Sequence, residues 1–170
     1  MLLASDQSRR PSPQRCLELY RRLAAGVTVV TAQSSAGPLG LTASSVTSLS
    51  LHPPMLLAGL KVGSGTLAAI ERSHMFGIQL LSEDQAGIAQ AFSTPTGTRF
   101  AGLDHEYVFG VPVLREVLGW SVCMLVDARR YGDHVLVIGE VAAVNTSEGR
   151  PLMWHNGQLT RLDTAAHGAQ

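Results

Sequence analysis

Residues 39–66 read LGLTASSVTSLSLHPPMLLAGLKVGSGT, and this stretch carries most of the information about the fold. Its first half, residues 39–51, alternates strictly, which is typical of a β-strand whose successive side chains point to opposite faces. One face carries the leucines, and the other is small and rich in hydroxyl groups, including Thr42, Ser44 and Ser48. An ordinary core face is not built in this way, so the second face is a candidate binding surface.

The second half of the stretch predicts an anion site. Pro53-Pro54 ends the strand, because proline cannot donate to a ladder. A further apolar run follows at 55–60, and Ser64-Gly65-Thr66 then precedes a helical stretch. Hydroxyl and free N–H groups at a helix start favour anions, so a ligand with a planar polar ring and a phosphate would suit both halves. Taken singly, an ordinary edge strand and a plain helix cap explain the two halves as well.

The composition is typical of one globular domain. The chain has 170 residues, 45% of them hydrophobic, which is enough for a single core. Its 13 basic and 13 acidic side chains cancel, which argues against a nucleic-acid binder. No apolar run approaches the roughly 20 residues that cross a bilayer, and the first residues do not resemble a signal peptide. Cys16 and Cys123 have neither metal nor disulfide spacing, so we expect reduced, buried thiols and a cytoplasmic location.

Turn signals and alternation divide the rest of the chain into short elements. Helices are predicted for 13–25, from about 66, and from the capping-box pair Ser82 and Gln85 to about 92. Strands are predicted for 26–32, 74–81, 120–128 and 134–145, with a loop over 93–107 and a hairpin turn at Asn156-Gly157. Because strands come in hairpins, we predict a mainly β fold, an antiparallel β-barrel with a few short helices. Residues 14–162 would form this domain, between a flexible arm of residues 1–13 and a frayed tail of residues 163–170.

Several motifs together resemble the flavin reductase-like proteins, which fold as FMN-binding split barrels. The most specific is TASSxxSxSxxPP at 42–54, followed by SxT at 64–66. The others are GVTVVTA at 26–32, RF at 99–100, GVPVL at 110–114, GDH at 132–134, IGEV at 138–141 and PLMW at 151–154. The resemblance implies an antiparallel, Greek-key-like split barrel that forms a homodimer. It also implies an NAD(P)H:flavin oxidoreductase, often supplying reduced flavin to a separate flavin-dependent monooxygenase.

The resemblance further implies which residues bind the flavin, FMN or FAD, and the NADH or NADPH co-substrate. The isoalloxazine and ribityl chain would lie on a small polar strand segment formed by Thr42, Ala43, Ser44, Ser45 and Ser48. The phosphate would be held at the helix start by Ser64, Gly65 and Thr66. Arg99 would add a fixed positive charge, and Phe92 and Phe100 would close the apolar side. His134 would be the catalytic residue, and His134 and Asp133 would bind the nicotinamide.

Simpler interpretations remain open for the charged and polar residues. His134 alone is equally typical of a packed or paired strand-end histidine, and Arg129-Arg130 of a solvated strand end. The other histidines show no ligand spacing, so we predict no metal site. The favoured hypothesis is a reductase that uses NADH to reduce a flavin for a partner monooxygenase. The alternatives are a carrier or redox sensor that keeps its flavin bound, and an oxygenase-type member that uses the flavin in place.

Overall fold

The computed structural model describes residues 10–94 and 99–162, and these residues form three helices and twelve strands. The helices are α1 Pro13–Tyr20, α2 Gly65–Ser73 and α3 Ala86–Ser93. The strands are β1 Ala25–Gly26, β2 Thr28–Ser34, β3 Gly37–Ala43, β4 Val46–Leu51, β5 Pro54–Lys61, β6 Met75–Leu80, β7 His105–Val108, β8 Val111–Leu114, β9 Gly119–Tyr131, β10 His134–Thr146, β11 Leu152–His155 and β12 Gln158–Arg161. The mainly β fold with a few short helices is therefore confirmed.

A seven-stranded antiparallel sheet in the order β3-β2-β6-β9-β10-β5-β4 forms the body of the domain. Its two edge strands, β3 and β4, are consecutive in the chain and are joined only by Ser44 and Ser45. So short a link spans about 11 Å at most, so the two edges must lie close together. The N–H of Gly59 in β5 donates to the carbonyl of Ser45 at 2.8 Å. The sheet is thus curled into a barrel whose edges meet at 44–45.

The single two-faced strand predicted for 39–51 is wrong, because the chain changes sheet edge in its middle. β3 pairs with β2, whereas β4 pairs with β5 at the opposite end of the strand order. The register between β4 and β5 also shifts between Ser48 and Ser50. Alternation in sequence reports the extended backbone, but it does not report which neighbour each half pairs with.

The predicted first helix, 13–25, ends earlier, at Tyr20. The N–H of Arg22 donates to the carbonyl of Leu19 at 2.9 Å, so the backbone tightens and leaves the helix. The following residues enter β1, which pairs with β11 in a small second sheet. Ser12, near the end of the predicted arm, caps α1 by accepting the N–H of Arg15. The rest of the predicted arm, residues 1–9, and the tail, residues 163–170, lie outside the described residues.

Two further boundaries differ from the prediction. Only half of the capping box forms: the N–H of Ser82 donates to Gln85 Oε1 at 2.9 Å, but the Ser82 hydroxyl donates to Asp84 at 2.6 Å. Helix α3 therefore begins at Ala86 and ends near the predicted position. The predicted loop 93–107 overlaps β7, which begins at His105, and its residues 95–98 lie outside the described ranges.

The barrel core is packed against helix α2. Fully buried residues from β2, β6 and β10 meet Leu67, Ala69 and Ile70 of this helix. Both cysteines are free thiols: Cys123 is buried, which raises its pKa, whereas Cys16 is only half-buried, contrary to the prediction. None of the helices in the described part of the chain is long and apolar enough to span a bilayer. Helices α2 and α3 both pack beside β3, and this arrangement frames the site.

Candidate functional site

A cavity of about 990 Å³ opens beside β3, the start of α2 and the segment that follows α3. This volume lies at the upper end of the range for small-molecule sites. The cavity brings together eleven of the predicted site residues: Thr42, Ala43, Ser44, Ser45, Ser64, Gly65, Thr66, Phe92, Arg99, Phe100 and His134. Ser48 and Asp133 do not line it, because Ser48 lies on exposed β4 beyond the change of edge and Asp133 points into solvent.

The start of α2 supplies free backbone donors to the cavity. The Ser64 hydroxyl accepts the N–H of Leu67 at 3.2 Å, and the N–H of Ala68 donates to the Ser64 carbonyl at 3.2 Å. Gly65 and Thr66 occupy the first two helical positions, where N–H groups have no acceptor within the helix. The helix dipole adds a partial positive charge at the same end. This corner of the cavity is therefore suited to an anion.

Two threonine hydroxyl groups, one buried and one half-buried, fix strand β3 in place. The Thr42 hydroxyl donates to the carbonyl of Ala89 in α3 at 2.6 Å, and the Thr28 hydroxyl donates to the carbonyl of Ala43 at 2.8 Å. Because the Thr42 proton is committed to α3, its oxygen can only accept from a ligand. The strand that forms the cavity wall is thus rigid, and its side chains are small.

Arg99 joins the segment after α3 to this wall. Its Nε donates to the carbonyl of Thr94 at 2.8 Å, and its guanidinium also donates to the carbonyl of Gly40 in β3. Part of its donor set is therefore used by the backbone. Phe92 and Phe100 meet edge to face, with ring centroids 5.1 Å apart, and close the apolar side of the cavity.

His134, at the start of β10, also lines the cavity. Its Nδ1 donates to the Asp133 carboxylate at 2.9 Å. This hydrogen bond is the main reason why the pKa of Asp133 is lowered, so the carboxylate is ionised and accepts the proton. The bond fixes the ring and leaves Nε2 as the atom that can meet a ligand.

Sequence reasoning missed Lys61, which lines the cavity at the end of β5. Its Cα is paired with that of His134 across the β5–β10 ladder. The available signal was a lysine that ends an apolar run three residues before Ser64. Gly40 and Gly59 were also missed: a Cβ on Gly40 would lie 2.6 Å from the Phe92 ring, and one on Gly59 would lie 3.2 Å from Ser45 Cβ.

A second hollow of about 580 Å³ adjoins the first and shares Thr42, Ser44 and Ser93 with it. Its other wall is the β11–β12 hairpin, including Trp154 and Gln158. Within the described ranges, no three His, Cys, Asp or Glu side chains form a group able to hold a metal ion.

The residues present fit the flavin that the resemblance implies. Ala43, Ser44 and Ser45 give this wall small side chains beside which a flat ring can lie, and the start of α2 suits a phosphate. The cavity is large enough for a mononucleotide, and it offers apolar surface at Phe92 and Phe100 together with polar groups along β3.

Comparison with known proteins agrees with this geometry. A family model described as "Flavin reductase like domain" matches residues 20–163. The reductase component of a 4-nitrophenol 4-monooxygenase/4-nitrocatechol 2-monooxygenase from Rhodococcus opacus is 39% identical over 136 residues, which are 80% of this chain and 74% of that protein. An NADH:FMN oxidoreductase from Rhodococcus erythropolis is 37% identical over 148 residues, 83% of this chain and 77% of that protein. Two further curated relatives are longer, and the chain spans 44% and 60% of their lengths.

The fold matches solved structures equally well. A flavin reductase domain protein from Arthrobacter sp. FB24 superimposes with a TM-score of 0.86 at 29% identity, covering 93% of this chain and 100% of that one. The family match covers most of the sequence, and the predicted split-barrel resemblance is confirmed. This chain belongs to the flavin reductase-like domain family.

Proposed function

We propose that this protein is an NADH:flavin oxidoreductase that supplies reduced flavin to a separate monooxygenase component. The observation that carries the proposal is the 990 Å³ cavity, which joins a flat, small-residue strand to an anion-binding helix start. Relatives named as a monooxygenase reductase component and as an NADH:FMN oxidoreductase support both the reaction and the partner.

The flavin would be bound between β3, the start of α2 and the Phe92–Phe100 pair. Thr42, Ala43, Ser44 and Ser45 would line the isoalloxazine and ribityl chain of FMN or FAD. Ser64, Gly65 and Thr66 would hold the phosphate, because the Ser64 hydroxyl can still donate while its oxygen caps the helix. Arg99 would add charge with the donors that Gly40 and Thr94 leave free, and Phe92 with Phe100 would shield the ring.

The nicotinamide end would be organised by His134. Asp133 holds the imidazole by its Nδ1, so Nε2 is oriented without ligand present. This makes Asp133 a positioning residue. Electron transfer between the nicotinamide and the flavin is the cofactors' own chemistry, so the protein contributes stacking geometry and exclusion of water.

A homodimer would complete the molecule. Helix α1 buries none of its residues within the chain, and Leu19 and Tyr20 are 65% and 61% exposed. A second copy would cover this apolar surface. The interface would border the site, because the carbonyl of Arg21 accepts the N–H of Asn156 in the hairpin that walls the second hollow.

The reaction is tested by following NADH absorbance with the purified protein, with and without added flavin. The proposal predicts that oxidation depends on added FMN, FAD or riboflavin and rises with flavin concentration until it saturates. NADH oxidation that is absent with every flavin, while the folded protein still binds FMN, would refute the assigned reaction.

A further inference from the structure

The chain contains a single lysine. Of its 13 basic side chains, 12 are arginines, and the one exception, Lys61, lines the cavity. Lysine differs from arginine in carrying a compact, mobile ammonium that acts as a point charge.

Backbone geometry places Lys61 beside both His134 and the start of α2. The N–H of Ser64 donates to the carbonyl of Lys61 at 3.2 Å, so a tight turn brings the lysine next to the start of α2. Across the ladder, Lys61 is paired with His134, which is paired in turn with Tyr131. Directly opposed residues share a face of the sheet, so the ammonium and the imidazole leave the same surface.

The Lys61 ammonium has no fixed partner. Among the described residues, no carboxylate lies within ion-pairing distance of it and no acceptor binds it. The nearby carboxylate, Asp133, is hydrogen-bonded to His134, and the charge of Lys61 acts on it only at longer range, as a minor cause of its lowered pKa. Arg99, by contrast, is tied to the carbonyls of Gly40 and Thr94. The cavity therefore has one constrained cation and one that is free to follow a ligand.

We propose that Lys61 is a phosphate-binding residue of this cavity and determines its preference for phosphorylated ligands. This rests on the proposed function and names a residue that the motif does not include. The phosphate belongs either to the flavin or to the pyrophosphate of the nicotinamide dinucleotide. In both cases the ammonium adds a mobile charge to the Ser64–Thr66 corner, where the helix start already favours anions.

Binding measurements test this with Lys61→Met, which removes the charge, and Lys61→Arg, which restores it. Arg72→Met is the matched control, since it changes the net charge equally at the other end of α2. Dissociation constants for FMN and riboflavin come from flavin fluorescence, and KM for NADH from steady-state rates. We expect Lys61→Met to weaken one phosphorylated ligand on the order of 10-fold, with partial rescue by arginine and no change in Arg72→Met.

The flavin dissociation constants and the KM for NADH together identify which ligand carries the phosphate that Lys61 binds. Weaker FMN binding with unchanged riboflavin binding assigns Lys61 to the flavin phosphate. Unchanged flavin binding with a raised KM for NADH assigns it to the dinucleotide. Equal weakening of FMN and riboflavin, or no change in any ligand, overturns the proposal. Wild-type protein measured alongside separates this from failure of the proposed function, which would show as wild-type protein without reductase activity.

A second readout needs no variant. Reductive methylation with ¹³C-formaldehyde labels the one lysine side chain and keeps its charge, giving one dimethyl-lysine NMR signal. The proposal predicts that FMN or ADP-ribose shifts this signal and that riboflavin does not. A signal that responds to neither phosphorylated compound contradicts it.

Discussion

Gly40 lies in the cavity wall at a position that has no room for a side chain. A Cβ at this position would lie 2.6 Å and 2.9 Å from two ring carbons of Phe92, and 3.3 Å from Thr31 Cγ2. Ordinary contact begins at 3.4 Å, so in Gly40→Ala the ring must retreat by about 0.8 Å. Phe92 is 1% exposed and packs edge to face against Phe100, so it has little room to move.

The expected loss in the free energy of unfolding follows from these short contacts. Overpacking a well-filled site costs typically 1–3 kcal/mol, and we expect Gly40→Ala to fall near the middle, about 2 kcal/mol. For a chain of this size that lowers Tm by roughly 4–8 °C. The displaced Phe92 and the Gly40 carbonyl that accepts from Arg99 both line the cavity, so FMN and riboflavin binding should weaken together.

The assay is urea or thermal unfolding of Gly40→Ala, Phe92→Leu and the double variant. If the clash is with the Phe92 ring, the double variant should lose less stability than the sum of the singles, by about 1 kcal/mol. Gly87→Ala in α3 is the control: its Cβ meets nothing within 4 Å, so it should gain roughly 0.5–1 kcal/mol. Gly40→Ala with wild-type stability, or strictly additive effects, would show that a Cβ at this position does not clash with the Phe92 ring.

Three further outcomes are expected. Arg99→Ala should weaken FMN binding more than riboflavin binding, since a charged contact is worth roughly 1.5–3 kcal/mol; equal weakening would limit Arg99 to tying the segment after α3 to β3. Light scattering at micromolar protein should give twice the chain mass of 18.1 kDa, and a particle of 18.1 kDa would exclude the dimer. His134→Ala should lower kcat/KM for NADH with flavin affinity nearly unchanged, measured by stopped-flow reduction of flavin-loaded protein. A reduction rate unaltered at every NADH concentration would make His134 a strand-end histidine without a role in the reaction.

Local patterns in the sequence predicted the elements well where neighbours in the chain are also neighbours in space. The hairpins at Asn156-Gly157 and between β2 and β3 formed as expected, because two strands joined by a short turn have little choice of partner. The helix start at Ser64 was also predictable, because capping depends on residues within one turn.

The pairing between strands that are distant in the chain could not be predicted from the sequence. Nothing in the alternation of 39–51 indicates that the chain leaves β2 and joins β5 at Ser44-Ser45, since both halves are equally extended. Lys61 was missed for a related reason. Its place beside His134 depends on pairing between strands more than seventy residues apart, and only the β5–β10 register reveals it.

Under the proposed function, reduced flavin leaves the protein after each turnover. The direct measurement is anaerobic NADH oxidation with flavin in large excess over protein, counted as NADH consumed per protein chain. A protein that releases its reduced flavin should give many turnovers, limited only by the supply of flavin. Consumption that stops at one NADH per bound flavin, with the rest of the flavin still oxidised, would contradict it and would indicate a protein that retains its flavin.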